Sequence, residues 1–316
     1  MTGAEHFIEE LTERSLPAAL TLLDEALRPG HTLEWFRWKH MDTPAGASWG
    51  WVARAGDDVL GVRLVMRWPI SIDGEPSMAA RMVDTATRAS HRGGGIFRSL
   101  TLYALERLAG ATDPPRFVMN TPNAKSGPGY VRMGWALLPR IAHAYHLVFP
   151  SLGTAGVESC FPLEGWPTHF EESPGLSTRR SAAFMRWRYQ AAPGGRYRWL
   201  RLREAERDNG LIYRIRVVRG LRLLLVMELV GSIRERALLL AAAARRERAI
   251  LALAPAGAGA WVQSPPSGRI FLRGGSVLAV RDLPPPAPPT AGAFPCSDPR
   301  EINCWGLSLG DLEDVL

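Results

Sequence analysis

The sequence predicts an α/β (α+β) protein of two domains, and three observations carry that expectation. Helical and strand-like segments alternate along the chain. The length of 316 residues exceeds the ~100 to 200 of a single domain. A stretch of the first half also recurs in the second. With 46% hydrophobic residues, each half can fill a core.

The elements follow in order. "SLPAALTLLDEAL" (15 to 27) opens on a serine cap, carries proline in its first turn and spaces its leucines as a helix does. "TLEWFRWKHMD" (32 to 42), with a threonine cap and aromatic residues three apart, is expected to be a second helix. "WGWVARA", the turn "GDD" and "VLGVRLVMRW" read as a hairpin. "ISI", the turn "DGE" and "SMAARMVDTAT" continue the meander. The chain is therefore expected to open with helices. After "SHRGGG" come the helix "IFRSLTLYALERLA", the strand "RFVMN", the helical turn "SGPGYVRMGW" and the strand "IAHAYHLVFP", which is expected to close the first half. Residues 151 to 180 have no sustained period and read as a connector.

The repeat sets "FRWKHMDTPAG" (36 to 46) over "MRWRYQAAPGG" (185 to 195). Trp38 matches Trp187, Pro44 matches Pro193 and Gly46 matches Gly195, each pair 149 positions apart. Strands at "YRWLRLRE", "GLIYRIRVVRG" and "LRLLLVMELVG", the helix "RERALLLAAAARRE" and the strand "AILALA" continue the second copy. A duplicated domain explains this pattern. The expected division is 1–150 and 151–316. "LPPPAPPTAG" (283 to 292) reads as a stiff surface excursion.

Composition narrows the function. The net charge is +7 and almost wholly arginine, because Lys39 and Lys125 are the only lysines. Such a chain favours anionic partners. The arginines lie among acids and apolar residues, as on solvated faces, so nucleic acid is not an expected partner. No apolar run approaches the ~20 residues of a membrane span, so no membrane is expected either. "MTGAEHFIEELTERS" lacks the order of a signal peptide, and a cytoplasmic location is expected. Cys160, Cys296 and Cys304 have neither zinc-site spacing nor an even count, and read as plain thiols. No metal is expected.

"SHRGGGIFRSL" (90 to 100) sets three glycines before a helix. A helix start presents unpaired amides and the positive end of the helix dipole, a ready anion site. A flexible turn is the plain alternative. A P-loop is excluded by the missing Gly-Lys-Ser/Thr, and the dinucleotide fingerprint Gly-x-Gly-x-x-Gly is absent.

Here the chain resembles the GCN5-related N-acetyltransferase (GNAT) superfamily. The acetyl-CoA loop of that family, Gln/Arg-x-x-Gly-x-Gly/Ala, is matched by Arg92, Gly93, Gly94, Gly95, Ile96 and Phe97, with phenylalanine where a small residue is usual. A downstream family pattern is matched by Asn123, Ser126, Tyr130, Gly134 and Trp135. The resemblance covers residues 7 to 148, with the second half a degenerate copy lacking the loop. It implies a tandem GNAT fold with two mixed, mostly antiparallel sheets flanked by helices.

It also implies the chemistry. Acetyl-CoA, or another acyl-CoA, would be the co-substrate, with its pyrophosphate on the amides of residues 93 to 97. Its pantetheine would pair with the strand edge at Thr85, Ala86 and Thr87. Asn123 resembles the residue that bonds the pantetheine arm, with a plain turn residue as the alternative. Tyr130 resembles the general acid that protonates the leaving thiolate, with packing as the alternative. Asp84 is a candidate base, or a solvated carboxylate paired with Arg81. His40, His91, His143 and His146 are further candidates, although His143 and His146, three apart in a strand, face opposite sides and so form no joint metal site.

The function implied is acyl transfer from acyl-CoA to an amine of a small molecule or amino sugar, by direct attack on the thioester. A Fem-type aminoacyl transferase and a non-catalytic acyl-CoA-binding scaffold are the alternatives.

Overall fold

In the computed structural model, which describes residues 6–27, 30–148, 156–159, 175–203, 209–256, 269–283 and 298–312, the chain begins with β1 (Phe7–Glu10), α1 (Leu16–Ala26), α2 (Leu33–Phe36), β2 (Trp49–Ala55) and β3 (Asp58–Ile72). There follow β4 (Glu75–Thr87), α3 (Ile96–Ala109), β5 (Phe117–Asn120), α4 (Gly127–Arg132), β6 (Ala136–Leu137) and β7 (Ile141–Leu147). Next come β8 (Val157–Glu158), β9 (Leu176–Thr178), α5 (Ala182–Met185), β10 (Arg198–Leu202), β11 (Gly210–Val218) and β12 (Leu221–Val230). The last elements are α6 (Ile233–Glu247), β13 (Leu251–Ala256), β14 (Arg269–Ser276), β15 (Ala279–Asp282), β16 (Trp305–Gly306) and α7 (Leu309–Leu312). The fold is mixed α/β, as expected.

The chain divides into two compact units. The first takes the residues up to Ile70, Pro76–Leu137 and strand β15. Its strands run in the order β1-β2-β3-β4-β5-β15-β6. β1, β2 and β3 are successively antiparallel, whereas β5 lies parallel to β4, as the crossover through α3 requires. Leu60, Val65, Ala80, Met82 and Val118 of this sheet form one core with Ile96, Leu100, Ala104 and Leu108 of α3. Gly61 makes that approach possible: a Cβ there would lie 2.6 Å from Ile96 Cγ2 and 3.0 Å from Leu100 Cδ1.

The second unit takes Ser71–Glu75, Leu138–Leu278 and the described C-terminal segment. Its sheet runs β14-β7-β13-β12-β11-β10-β8. β10, β11 and β12 form an antiparallel meander, and β13 lies parallel to β12. Leu239, Leu240 and Ala243 of α6 share a core with Leu211, Leu224 and Val226. Each unit therefore strings three strands that neighbour one another in its sheet, β2-β3-β4 and β10-β11-β12, then a helix and a strand parallel to the third, in the same order.

The matched stretches have matching shapes. Thr32 and Ser181 cap their helices by accepting from the amides of Trp35 and Phe184, both at 3.1 Å. Each helix then widens into a π turn, Arg37–Met41 and Arg186–Gln190. The single regular helix expected over 32 to 42 is thus two kinds of turn, a difference that aromatic spacing does not reveal.

The division differs from the expected 1–150 and 151–316. Strand β7, expected to close the first half, pairs with β13 and β14 in the second sheet. Strand β15, from late in the chain, enters the first sheet between β5 and β6. A period of two marks a strand but does not name its partner. The chain also opens with strand β1 rather than with a helix, and "ISI" continues β3 straight through Pro69. The connector contains β8 and β9, its remainder lying largely outside the described residues, as do Cys160, Cys296 and the proline tract after Leu283. Cys304 is buried. Among the described residues, no helix is long and apolar enough to cross a membrane, and no cluster of His, Cys, Asp or Glu could hold a metal ion.

Candidate active site

The glycine loop begins where β4 ends, in a 3₁₀ turn at Ala89–His91. Gly93 and Gly95 have φ of 83° and 85°, a conformation that L residues with side chains rarely adopt. Gly95 caps α3 without any side-chain bond, and the first turn holds no acid. The amides of Gly93, Gly95, Ile96 and Phe97 meet no protein acceptor among the described residues. A Cβ on Gly93 or Gly95 would meet nothing within 4 Å. Open space above unpaired amides at a helix start suits a phosphate. Arg92 ties the loop back to β4, its Nε donating to the Thr87 carbonyl at 3.3 Å.

Phe97 leaves that space clear. Its ring meets Tyr130 edge to face at 5.3 Å between centroids and carries the Arg63 guanidinium at 5.2 Å. It also fills the place of a side chain at Gly129, where a Cβ would lie 3.1 Å from Phe97 Cε1. The departure from a small residue is thus absorbed by packing, with no loss of the amides.

The strand edge expected to face pantetheine is open. Pairing of β4 with β5 consists of Ala80 with Val118 and Arg81 with Met119, and stops there. Asp84, with φ of 39°, breaks the regular strand just beyond. Thr85, Ala86 and Thr87 follow with no partner strand on that side. Polar backbone on an unpaired edge can accept an extended ligand.

Asn123 serves as a turn residue, as the plainer expectation had it. Its Oδ1 accepts from the amides of Lys125 at 2.9 Å and Ser126 at 3.0 Å. Its Nδ2 donates to nothing among the described residues, so the turn role leaves a donor for a ligand. Ser126 precedes α4 and its Oγ accepts from the Asn123 amide at 3.2 Å. That turn starts α4 and buries Tyr130. The Tyr130 hydroxyl accepts from Arg63 Nη1 at 3.0 Å.

Asp84 is not the solvated carboxylate paired with Arg81 that the sequence allowed. Its Oδ2 lies 2.7 Å from Lys39 Nζ and 3.0 Å from His40 Nε2, while Arg81 lays its guanidinium on the Trp68 ring. Burial alone would raise the Asp84 pKa; the Lys39 charge and the His40 contact outweigh it and hold the carboxyl well below its ordinary range. Such an anion is a weak base. Burial lowers the His40 pKa against the pull of Asp84. His40 Nδ1 lies 3.0 Å from the hydroxyl of half-buried Ser48. The π turn aims adjacent residues 39 and 40 at one carboxylate, a use of widened helix turns found at functional sites. His91 bonds Ser90 in the loop at 2.9 Å, and His143 and His146 lie on β7 in the other unit.

A family model described as an acetyltransferase (GNAT) domain matches residues 8–138. Residues 8–138 belong to the GNAT family. No curated protein sequence matches the chain. Among solved structures, a probable N-acyltransferase of Enterococcus faecalis aligns with a TM-score of 0.65 and 11% identity, over 88% of this chain and 73% of its own. A GCN5-related N-acetyltransferase of Anabaena variabilis aligns at 0.64 and 12%, with the same coverage. A putative acetyltransferase of Pyrococcus horikoshii aligns at 0.56 and 13%, over 97% of this chain and 95% of its own. At these identities the likenesses establish the GNAT-type fold.

The second unit arranges the same places differently. At the start of α6, Ser232 and Glu235 form a capping box: the Ser232 amide donates to Glu235 Oε2 at 2.6 Å and the Glu235 amide to Ser232 Oγ at 3.3 Å. A carboxylate occupies the helix start where the GNAT domain leaves amides free. Tyr189, 149 positions after His40, likewise meets a carboxylate on the third meander strand, donating to Glu228 Oε1 at 2.6 Å. Arg180, Asp311 and Ser308 enclose Glu228.

Proposed function

We propose that the chain is an acyl-CoA-dependent N-acyltransferase, with acetyl-CoA as donor and an amine of a small molecule or amino sugar as acceptor. The observation that carries this reading is the set of unpaired amides at the start of α3 beside a strand edge that β5 has left. The two features suit the two ends of one extended, diphosphate-bearing thioester. The amides of Gly93, Gly95, Ile96 and Phe97, with Arg92 bracing the loop and the Gly94 amide donating to the His91 carbonyl at 3.3 Å, would take the diphosphate, and Thr85, Ala86, Thr87, Asn123 and Ser126 the pantetheine arm.

The thioester is already activated, so the protein supplies position and protons. Tyr130 gives its hydroxyl proton to the leaving sulfur. We assign the route for the amine's proton to Ser48 and His40, with Asp84 as the fixed anion that orients His40. One acyl-CoA is taken per chain, because α6 caps itself with Glu235.

The test is release of free thiol from acetyl-CoA with a panel of amines, with the acylated amine identified by mass. Thiol release matched by acylated amine is expected. Tight CoA binding without release would favour a scaffold, and dependence on ribonuclease-sensitive material would favour aminoacyl transfer.

A further inference from the structure

Arg63 is the largest wholly buried side chain of the described residues, on a strand whose neighbouring positions are Val62, Leu64 and Val65. Nη2 donates to Thr101 Oγ1, and that hydroxyl donates onward to the Phe97 carbonyl at 2.7 Å. Nη1 donates to the Tyr130 hydroxyl at 3.0 Å, and Nε has no partner. The Phe97 and Tyr130 rings flank the guanidinium, at 5.2 and 5.8 Å to their centroids. No carboxylate among the described residues pairs with it. A buried cation without a counter-anion is costly, so the arrangement points to an anion that forms during turnover.

We propose that Arg63 is a positioning residue for Tyr130: it holds the phenol by its oxygen and supplies the charge that the phenol needs once its proton has gone. This rests on the reading of Tyr130 as the proton donor. In the transfer, the amine nitrogen bonds to the acyl carbon, and the carbon–sulfur bond breaks with its electron pair moving to sulfur. The Tyr130 hydroxyl passes its proton to that sulfur, leaving a free thiol and a phenolate beside Arg63. The proton lost by the amine leaves through Ser48 and His40 to solvent, and one from solvent restores the phenol. Because Nη1 occupies an oxygen lone pair, the hydroxyl hydrogen must point elsewhere. Thr101 fixes the other arm of the fork, so the phenol is held in one orientation. Sequence gives only a faint signal of this: an arginine inside an apolar strand.

The experiment follows thiol release from acetyl-CoA with hydroxylamine, a small nucleophile that needs no acceptor subsite, in wild type, Arg63→Met, Arg63→Lys, Tyr130→Phe and the Arg63→Met/Tyr130→Phe double variant. Arg63→Met is expected to lower kcat by about 10²-fold, the scale for a buried donor aimed at developing charge. The KM for acetyl-CoA and the calorimetric affinity for CoA should hold, and Arg63→Lys should retain more rate than Arg63→Met. Acting through Tyr130, the two changes should not multiply, leaving the double variant no slower than Tyr130→Phe. Thermal stability of Arg63→Met should equal or exceed wild type, since a buried charge is removed.

Multiplying losses, an Arg63→Met rate within threefold of wild type, or a lowered Tm with lost CoA affinity would overturn the proposal. If Tyr130→Phe is slow while Arg63→Met is not, Arg63 alone is misassigned. If Tyr130→Phe keeps the wild-type rate, or wild type releases no thiol, the reading of the site fails and this proposal with it.

Discussion

Replacing Gly94 by glutamate isolates the electrostatics of the proposed diphosphate site. Gly94 lies between the two positive-φ glycines without sharing their conformation, and an added Cβ would meet only the His91 carbonyl, at 3.3 Å. Backbone conformation therefore does not bar a side chain there, although the His91 carbonyl must give by a few tenths of an ångström, a cost that Gly94→Ala measures separately. A carboxylate about 5 Å from one phosphate charge costs about 3 kcal/mol at an effective dielectric of about 20, against about 0.8 kcal/mol in bulk water. The loop is exposed at its surface but backed by the sheet, so the higher figure is the upper end; it corresponds to a loss of about 150-fold in affinity. Titration calorimetry of CoA should show a loss approaching that size, shrinking as salt rises. Gly94→Ala should bind nearly as wild type, and pantetheine, which has no diphosphate, should not discriminate between the glutamate variant and wild type. Unchanged CoA affinity in folded Gly94→Glu would refute the assignment of these amides to the diphosphate.

Three further outcomes are expected. Tyr130→Phe should slow turnover by about 10²- to 10⁴-fold with CoA affinity preserved in calorimetry, the mark of a group that acts only as the thiolate leaves. Asp84→Asn should destabilise by about 3–5 kcal/mol in urea unfolding at pH 7, because it leaves Lys39 buried beside a neutral partner. The Asp84 carboxyl is lowered in the folded state, so its stabilisation is present in full above the unfolded carboxyl pKa of about 3.9 and fades as pH falls below it; the wild-type advantage over the variant should shrink on acidification. Ser232→Ala should cost about 1 kcal/mol of stability through loss of the α6 cap, with CoA binding untouched; weakened CoA binding would count against the division between the units.

Much of the site was legible because it is written in local chemistry. Three glycines before a helix mark a candidate anion-binding start, with a flexible turn as the alternative, and the stretch from Asn123 through Ser126 to Tyr130 is short enough for the family pattern to be matched residue by residue, which is how the resemblance pointed to it. The capping box of the second unit was equally local: Ser232 and Glu235 spell it, although attention to glycine content alone passes over it. What stayed hidden depends on partners far apart in sequence. Arg63 meets Tyr130 across 67 positions and His40 meets Asp84 across 44, and only folding brings them together. The Lys39 signal was present, one of two lysines in an arginine-rich chain and set among tryptophans, but nothing in the sequence named Asp84 as its counter-ion. Strands β7 and β15 were hidden for another reason: alternation in "IAHAYHL" specifies an extended segment, whereas the choice of sheet follows from the pairing of the whole chain.

Binding of one CoA per chain follows from the contrast between two helix starts, α3 with amides that meet no protein acceptor among the described residues and α6 capped by its own glutamate. Titration calorimetry of the full chain with CoA measures that contrast in a single number. One CoA per chain, with the heat abolished or sharply weakened by Gly94→Glu and unaffected by Ser232→Ala, is the expected result. Two CoA molecules per chain, or no binding at all by the folded wild-type protein, would contradict it.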